Sequence, residues 1–322
     1  MDHVIAMLQR LLASFTAFIM AFIPFSGGRQ AKTDDTVLLR AALVSDVHID
    51  ARFPLGQSAL KTCYTDMNKF DPDAAVVLGD LTNYGDYATA ERFFEITRDT
   101  LKDGVTPVII SGNHDIGHAK EAEGARLNPE ALRDFLSLCN EYLGYGVDKA
   151  YYTIEVNGYG FICLNDESAD NWDHPEYSDA ALNFLGEELD KYAVDGRPVF
   201  VLMHVPLSGI HGEEHYYEGG GLEEPWNTEI RTLLEAHKNV FCLTGHFHKG
   251  LSNSLDTPTF RQLNGVNYLN LPSFLMPNWP VEYAINGLGF IMEVTASAVT
   301  FRCRNYYLNN WYGNFDYTVT LA

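Results

Sequence analysis

Basic residues are scarce: 22 Lys and Arg stand against 43 Asp and Glu, for a net charge of −21. Nucleic-acid polymers are held mainly through cationic surface, so such a partner is disfavoured. The surplus of acid instead suits solubility or the holding of cations. No CxxC pair occurs among the five cysteines, Cys63, Cys139, Cys163, Cys242 and Cys303. Their separation argues against a zinc finger or thiolate cluster, and their odd number against a fully paired disulfide framework. Two of them sit in the apolar runs Phe161-Ile162-Cys163-Leu164 and Phe241-Cys242-Leu243, where cysteine serves as a small buried hydrophobe. Internal repeats and low-complexity tracts are also lacking. With 46% hydrophobic and 20% charged residues, the chain has the material for a packed core. Its 322 residues allow one large domain or two modest ones.

Long hydrophobic runs are confined to the N-terminus. Leu11 to Phe25 carries no charge, follows Arg10 and precedes Ser26-Gly27-Gly28. It is shorter than the roughly 20 residues of a full span. The expectation is therefore a signal peptide, or a retained N-terminal membrane anchor, over residues 1–35 with a polar linker from Gly27 to Asp35. That expectation places the remaining domain, 36–322, outside the cytoplasm. An amphipathic helix docked on the domain is the alternative.

Beyond Thr36, apolar runs alternate with segments of helical spacing. Strands are expected at 37–44, 74–78, 107–110, 151–156, 160–164, 198–203 and 240–243, the fourth and fifth joined at Asn157-Gly158. Helices are expected at 57–70, at 88–101, from Pro129 at a first helical position, at 180–192 and at 227–237. Residues 116–128 and 211–226 read as loops. From about Tyr268 the chain alternates apolar and polar residues, as antiparallel strands do. This pattern predicts βαβ units with a largely parallel sheet, and a second sheet packed on it from the strand-rich C-terminal part.

Five of the apolar runs end in residues that ligate metals. They deliver Asp46 and His48; Asp80 and Asn83; Asn113, His114 and Asp115; His204; and His246 and His248. In open α/β sheets, ligands collect outside the carboxyl ends of the strands. One such His is more often a satisfied loop residue than a ligand. Five converging strand ends are different, because burying so many polar groups together without a cation would be costly. Oxygen and imidazole donors without thiolate suit Mn, Fe, Zn or related divalent ions.

The blocks Asp46-Val47-His48, Gly79-Asp80-Leu81-Thr82-Asn83, Gly112-Asn113-His114-Asp115, His204 and Gly245-His246-Phe247-His248 resemble those of the calcineurin-like metallophosphoesterases, in order and rough spacing, over about residues 37 to 250. The resemblance implies an α/β fold, a four-layer α/β/β/α sandwich of two packed mixed sheets flanked by helices. It implies two divalent metal ions (Mn, Fe, Zn or mixed). Asp46, His48 and His248 would hold one, and Asn113, His204 and His246 the other, with Asp80 between them. A bridged pair clamps both oxygens of an in-line displacement and supplies hydroxide from a shared water near neutral pH. His114 would protonate the leaving oxygen or stabilise phosphoryl charge, and Asp115 would orient His114 through its other ring nitrogen. Asn83 stands where the related purple acid phosphatases carry a tyrosine ligand, and His48 is replaced in those relatives, so a tyrosinate–iron site is not expected.

The implied activity is phosphoester hydrolysis. The low basic content favours a small or lipid-linked diester over a polymer; a phosphomonoesterase or nucleotidase on the same site is the alternative. A non-catalytic scaffold would be expected to have lost ligands, and none is lost here. His211 and His215 are candidates for substrate contact, against a solvated loop. Asp166 is expected to fix a loop, Trp279 is a candidate for lining the pocket, and the aromatic tail (Tyr306, Tyr307, Trp311, Tyr312, Phe315, Tyr317) is expected to pack on a sheet. His118 and His174 have no motif support.

Overall fold

The computed structural model describes residues 36–322, apart from 117–118, 122–123, 127–129, 169–173 and 218–219. The N-terminal apolar run, His118 and Pro129 lie outside the described residues. Among the described residues, no helix is long and apolar enough to cross a membrane.

The apolar runs fold as strands and the segments of helical spacing as helices. In chain order these are β1 (Leu39–Val44), α1 (Pro54–Met67), β2 (Ala74–Leu78), α2 (Tyr87–Thr100), β3 (Thr106–Ile110), β4 (Ala119–Glu121), β5 (Gly124–Arg126) and α3 (Ala131–Leu143). Next come β6 (Tyr151–Val156), β7 (Tyr159–Leu164), α4 (Asp179–Tyr192), β8 (Val199–Met203), α5 (Trp226–Glu235), β9 (Val240–Thr244), β10 (Phe260–Leu263) and β11 (Val266–Asn270). The chain ends with β12 (Leu288–Val294), β13 (Ala298–Asn305), β14 (Asn310–Trp311) and β15 (Tyr317–Thr320). Asn157 and Gly158 turn the β6–β7 hairpin with positive φ of 52° and 78°, as the Asn-Gly pair predicts. Asp86 caps α2 and Ser178 caps α4, each side chain accepting from a backbone N–H in the first turn. Residues 116–128, expected as a plain loop, contain the antiparallel ribbon of β4 and β5.

Two mixed sheets result. One runs β14-β13-β12-β1-β2-β3, with β15 also on β13; the other runs β10-β11-β9-β8-β7-β6. The C-terminal strands do not form the second sheet, as the sequence suggests. Instead β12 pairs antiparallel with β1, so the chain returns to extend the first sheet. The second sheet is built from the middle of the chain, where β7, β8, β9 and β11 are mutually parallel.

The two-residue period of a strand sorts the core. Phe200 and Leu202 of β8 face the first sheet, in a core shared with Val76, Ile109 and Phe290. Val199, Val201 and Met203 face away, against Leu185 and Leu189 of α4 and Ile230 and Leu234 of α5. Phe161, Phe200 and Phe241 stack in turn across the second sheet, and Phe241 meets Phe301 of the first at 5.9 Å between ring centres. Helices α1, α2 and α3 cover the other face of the first sheet through Leu60, Tyr64, Phe93, Phe94 and Phe135. The layers are therefore helix, sheet, sheet, helix. All five cysteines are buried and free.

Candidate metal centre

The parallel strands of both sheets end on one face, and the five sequence blocks meet there. Sharp turns end three of the five runs, β1, β2 and β9. Asp46, His48, Asp80, His246 and His248 all adopt positive φ, at 54°, 40°, 50°, 71° and 45°. This conformation is costly for residues bearing a Cβ and persists where the surroundings over-determine it, commonly at functional sites. The backbone fixes these turns: the Asp46 N–H donates to the Gly79 carbonyl at 3.1 Å and the His48 N–H to the Asp80 carbonyl at 2.9 Å. Glycine is required at two close approaches. A Cβ on Gly112 would fall on the Asp80 carboxylate, and one on Gly245 would fall on the Ser45 hydroxyl.

Asp80 sits at the centre. Its Oδ2 lies 3.3 Å from His48 Nε2 and its Oδ1 lies 3.2 Å from His204 Nε2. On one side, His248 Nε2 is 3.0 Å from Asp46 Oδ1 and 2.9 Å from His48 Nε2. Asp46, His48, Asp80 and His248 can each present a donor atom with all four inside 4.8 Å. On the other side, Asn113 Oδ1 is 3.1 Å from His246 Nδ1, and the His204 and His246 rings are 5.2 Å apart.

These residues fit a bound cation. Among the described residues, the buried Nε2 of His246 has no hydrogen-bond partner, and the buried Nε2 of His204 faces the Asp80 carboxylate. His204 Nδ1 lies 2.6 Å from the Leu78 carbonyl, which leaves its Nε2 turned to the cluster as an acceptor. Burial opposes a charge on His204, but the Asp80 and Asp46 carboxylates outweigh it and push the imidazole up to about 10. The cluster thus calls for positive charge at this point. Burial lowers His48 and His246 to about 3, keeping both neutral as ligation needs. Burial also works against ionising Asp46 and Asp80, yet the surrounding imidazoles hold both below the usual carboxylate range.

His114 stands at the edge of the cluster, its Nε2 4.0 Å from Asp80 Oδ2 and its ring edge-on to His48 at 4.6 Å. Its Nδ1 lies 2.8 Å from the Asn83 carbonyl oxygen. Asp115 therefore does not orient His114. Its carboxylate turns inward and accepts from the N–H groups of Leu81, Thr82 and Gly112 and from the Thr82 hydroxyl, at 2.8–3.0 Å. Four unpaired donors at two neighbouring strand ends attract it more than one imidazole nitrogen does.

The outlying candidates separate. His211 is buried rather than solvated, its Nδ1 2.9 Å from the Pro258 carbonyl. His215 is half exposed beside Glu214. Asp166 holds its loop by accepting from the Ser168 and Glu176 N–H groups. Trp279 is partly exposed, and its backbone N–H donates to the His248 carbonyl. Tyr217 was not singled out by its sequence context, yet its ring lies 5.2 Å from that of His246. An aromatic in the 211–226 loop that follows His204 is the available signal.

The family model for calcineurin-like phosphoesterases matches residues 39–250. This chain belongs to that family. It is a metallophosphoesterase, a hydrolase acting on phosphoester bonds, and its buried Asp/His cluster suits divalent metal. A comparison with curated proteins gives no match. Among solved structures, a dimetal phosphatase from Danio rerio is similar at a TM-score of 0.60 and 13% identity, covering 89% of this chain and 100% of that one. The purple acid phosphatase PPD1 from yellow lupin (Lupinus luteus) seeds is similar at 0.57 and 15% identity over 89% of this chain; only 54% of the lupin chain is covered. GAP50, described as the anchor in the inner membrane complex of Plasmodium, is similar at 0.56 and 12% identity, covering 88% of this chain and 89% of that one. At such identities the likeness establishes the fold, and function has to be argued from the site.

Proposed function

We propose that the metallophosphoesterase hydrolyses small or lipid-linked phosphodiesters with two divalent ions (Mn, Fe, Zn or mixed). The observation that carries two ions is the division of Asp80, whose oxygens face His48 on one side and His204 on the other. Asp46, His48 and His248 would hold one ion, Asn113, His204 and His246 the second, and Asp80 would contact both. Such a pair, when bound, lowers the pKa of water and offsets negative charge on the phosphoryl oxygens.

The chain's own residues supply the rest. His114 is aimed by the Asn83 carbonyl, so as an imidazolium it presents Nε2–H to the leaving ester oxygen and transfers a proton as the P–O bond breaks. Asp115 ties the Asp80 loop to the Asn113-His114 loop, which keeps both halves of the centre in register. The low content of basic residues supports a small substrate over a nucleic-acid polymer.

Hydrolysis of bis-p-nitrophenyl phosphate by the full-length chain, with and without added manganese and beside Asp80→Ala, tests this reading. Metal-dependent turnover lost in the variant is expected. Turnover of monoesters alone would favour the phosphatase or nucleotidase alternative, and no turnover of either class would favour a scaffold. The N-terminal apolar run supports export or membrane anchoring. N-terminal sequencing of protein from fractionated cells tests it: intact protein in the cytosolic fraction would sink that assignment.

A further inference from the structure

The loops that carry His48 and the His114 anchor, with the first turn of α1, also carry exposed apolar side chains. Phe53 and Leu55, just after the first block, are 63% and 85% exposed, and Tyr84, next to Asn83, is 41% exposed. The Arg52 guanidinium lies between two of them, 5.9 Å from the Phe53 ring centre and 5.7 Å from that of Tyr84. This arginine is aimed. Asp50, itself buried, receives its Nε and one terminal nitrogen at 2.9 and 2.6 Å, and among the described residues the other terminal nitrogen has no hydrogen-bond partner. The loop beneath is braced: the Phe53 N–H donates to the Asp50 carbonyl, the Ala51 N–H to Thr89 Oγ1, and the Gln57 amide to the Ala51 carbonyl. Phe53 and Tyr84 are joined through one guanidinium on a braced loop, which sets them apart from apolar side chains that are exposed singly.

We propose that Arg52, Phe53, Leu55 and Tyr84 form a specificity subsite for the apolar ester group of a phosphodiester. The inference rests on the phosphodiesterase reading above and names the substrate side that the rim selects. Two arguments commit the occupant. Arg52 and Phe53 follow His48 by four and five residues, Leu55 opens α1, and Tyr84 directly follows Asn83, whose carbonyl holds His114 Nδ1 at 2.8 Å, so a group lying on Tyr84 adjoins the His114 side of the centre. The open guanidinium edge complements a phosphodiester anion in a chain that offers few cations, and the rings and Leu55 complement an apolar group esterified to that anion. An alkyl chain and an aromatic ring share this chemistry.

The test holds the leaving group fixed. Full-length protein with manganese is given the p-nitrophenyl diesters of methyl, octyl and phenyl phosphate, below their aggregation concentrations. In each, water adds to phosphorus, the bond to the p-nitrophenyl oxygen breaks, and p-nitrophenolate leaves. The kcat/KM for the octyl or the phenyl ester is expected to exceed that for methyl about tenfold or more, from apolar contact alone. A gain with octyl only identifies a chain as occupant, and a gain with phenyl only identifies a ring. In Phe53→Ser/Leu55→Ser the ratio should fall towards one. Leu255→Ser, which removes a 90% exposed leucine elsewhere, should keep it. A native ratio near one, a ratio retained in the double variant, or an equal loss in Leu255→Ser would overturn the subsite while leaving the phosphodiesterase intact. Absence of metal-dependent turnover on every diester would overturn both.

Discussion

His114 holds its Nδ1 2.8 Å from the carbonyl oxygen of Asn83, with Nε2 turned toward Asp80. A neutral carbonyl fixes the ring without contributing a charge. If this imidazole protonates the leaving oxygen, His114→Ala should lower kcat by about 10²–10⁴ on alkyl esters. The loss should be smaller on p-nitrophenyl esters, whose phenolate leaves without a proton. Metal content, measured by elemental analysis, should stay at the native level. An equal loss for good and poor leaving groups would remove the acid role.

Asp115 should be revealed as a clamp, and its amide variant is the discriminating one. Asp115→Asn keeps nearly the same volume but replaces one acceptor oxygen with a donor facing backbone N–H groups. Leaving such donors unpaired costs about 1–3 kcal/mol. We expect a lower Tm and weaker metal retention together, with His114-dependent leaving-group sensitivity unchanged. A variant that kept native Tm but lost that sensitivity would restore the orienting role to Asp115.

The difference over Asp115 marks what the sequence could and could not carry. The metal-type residues were legible because each ends a short apolar run, and a buried strand delivers its next polar residue at the sheet edge. Two of the partners of Asp115 are backbone amides 34 and 33 residues away, and no side-chain pattern encodes those. Strand existence was legible from hydrophobic runs, whereas strand order was not: β12 reads like any antiparallel strand, and only its pairing with β1 puts it in the first sheet. His211 lies close to His204 in sequence, but its burial against Pro258 comes from packing with a segment 47 residues away, which no local pattern encodes.

Asp80→Ala and Gly112→Ala approach the centre from two directions. The first deletes the carboxylate shared by His48 and His204; the second leaves it in place but drives a Cβ onto it. Both should lose bound metal and activity in parallel, with kcat/KM down at least about a hundredfold, as expected when positioning is lost. Isothermal titration with manganese checks the metal arm. Gly112→Ala retaining native affinity and rate would mean that the β2 and β3 loops can separate, contrary to the tight packing between Gly112 and Asp80.

Asp166 offers a prediction on stability at one remove from catalysis. Burial pushes its carboxyl up to about 7, while the N–H groups of Glu176 and Ser168 only partly offset the rise. The folded state therefore prefers the protonated acid. Its favourable contribution is present below the ordinary value of 3.8 and is lost as pH rises through about 7. Both backbone bonds end on a single oxygen, Oδ1, which an asparagine can reproduce. Asp166→Asn should thus match the native protein near pH 4 and exceed it at pH 8, by on the order of 1–2 kcal/mol once residual solvent screening is allowed for. Thermal melts across that range check it. Equal Tm differences at both ends would mean that ionisation of Asp166 carries no cost in the folded protein.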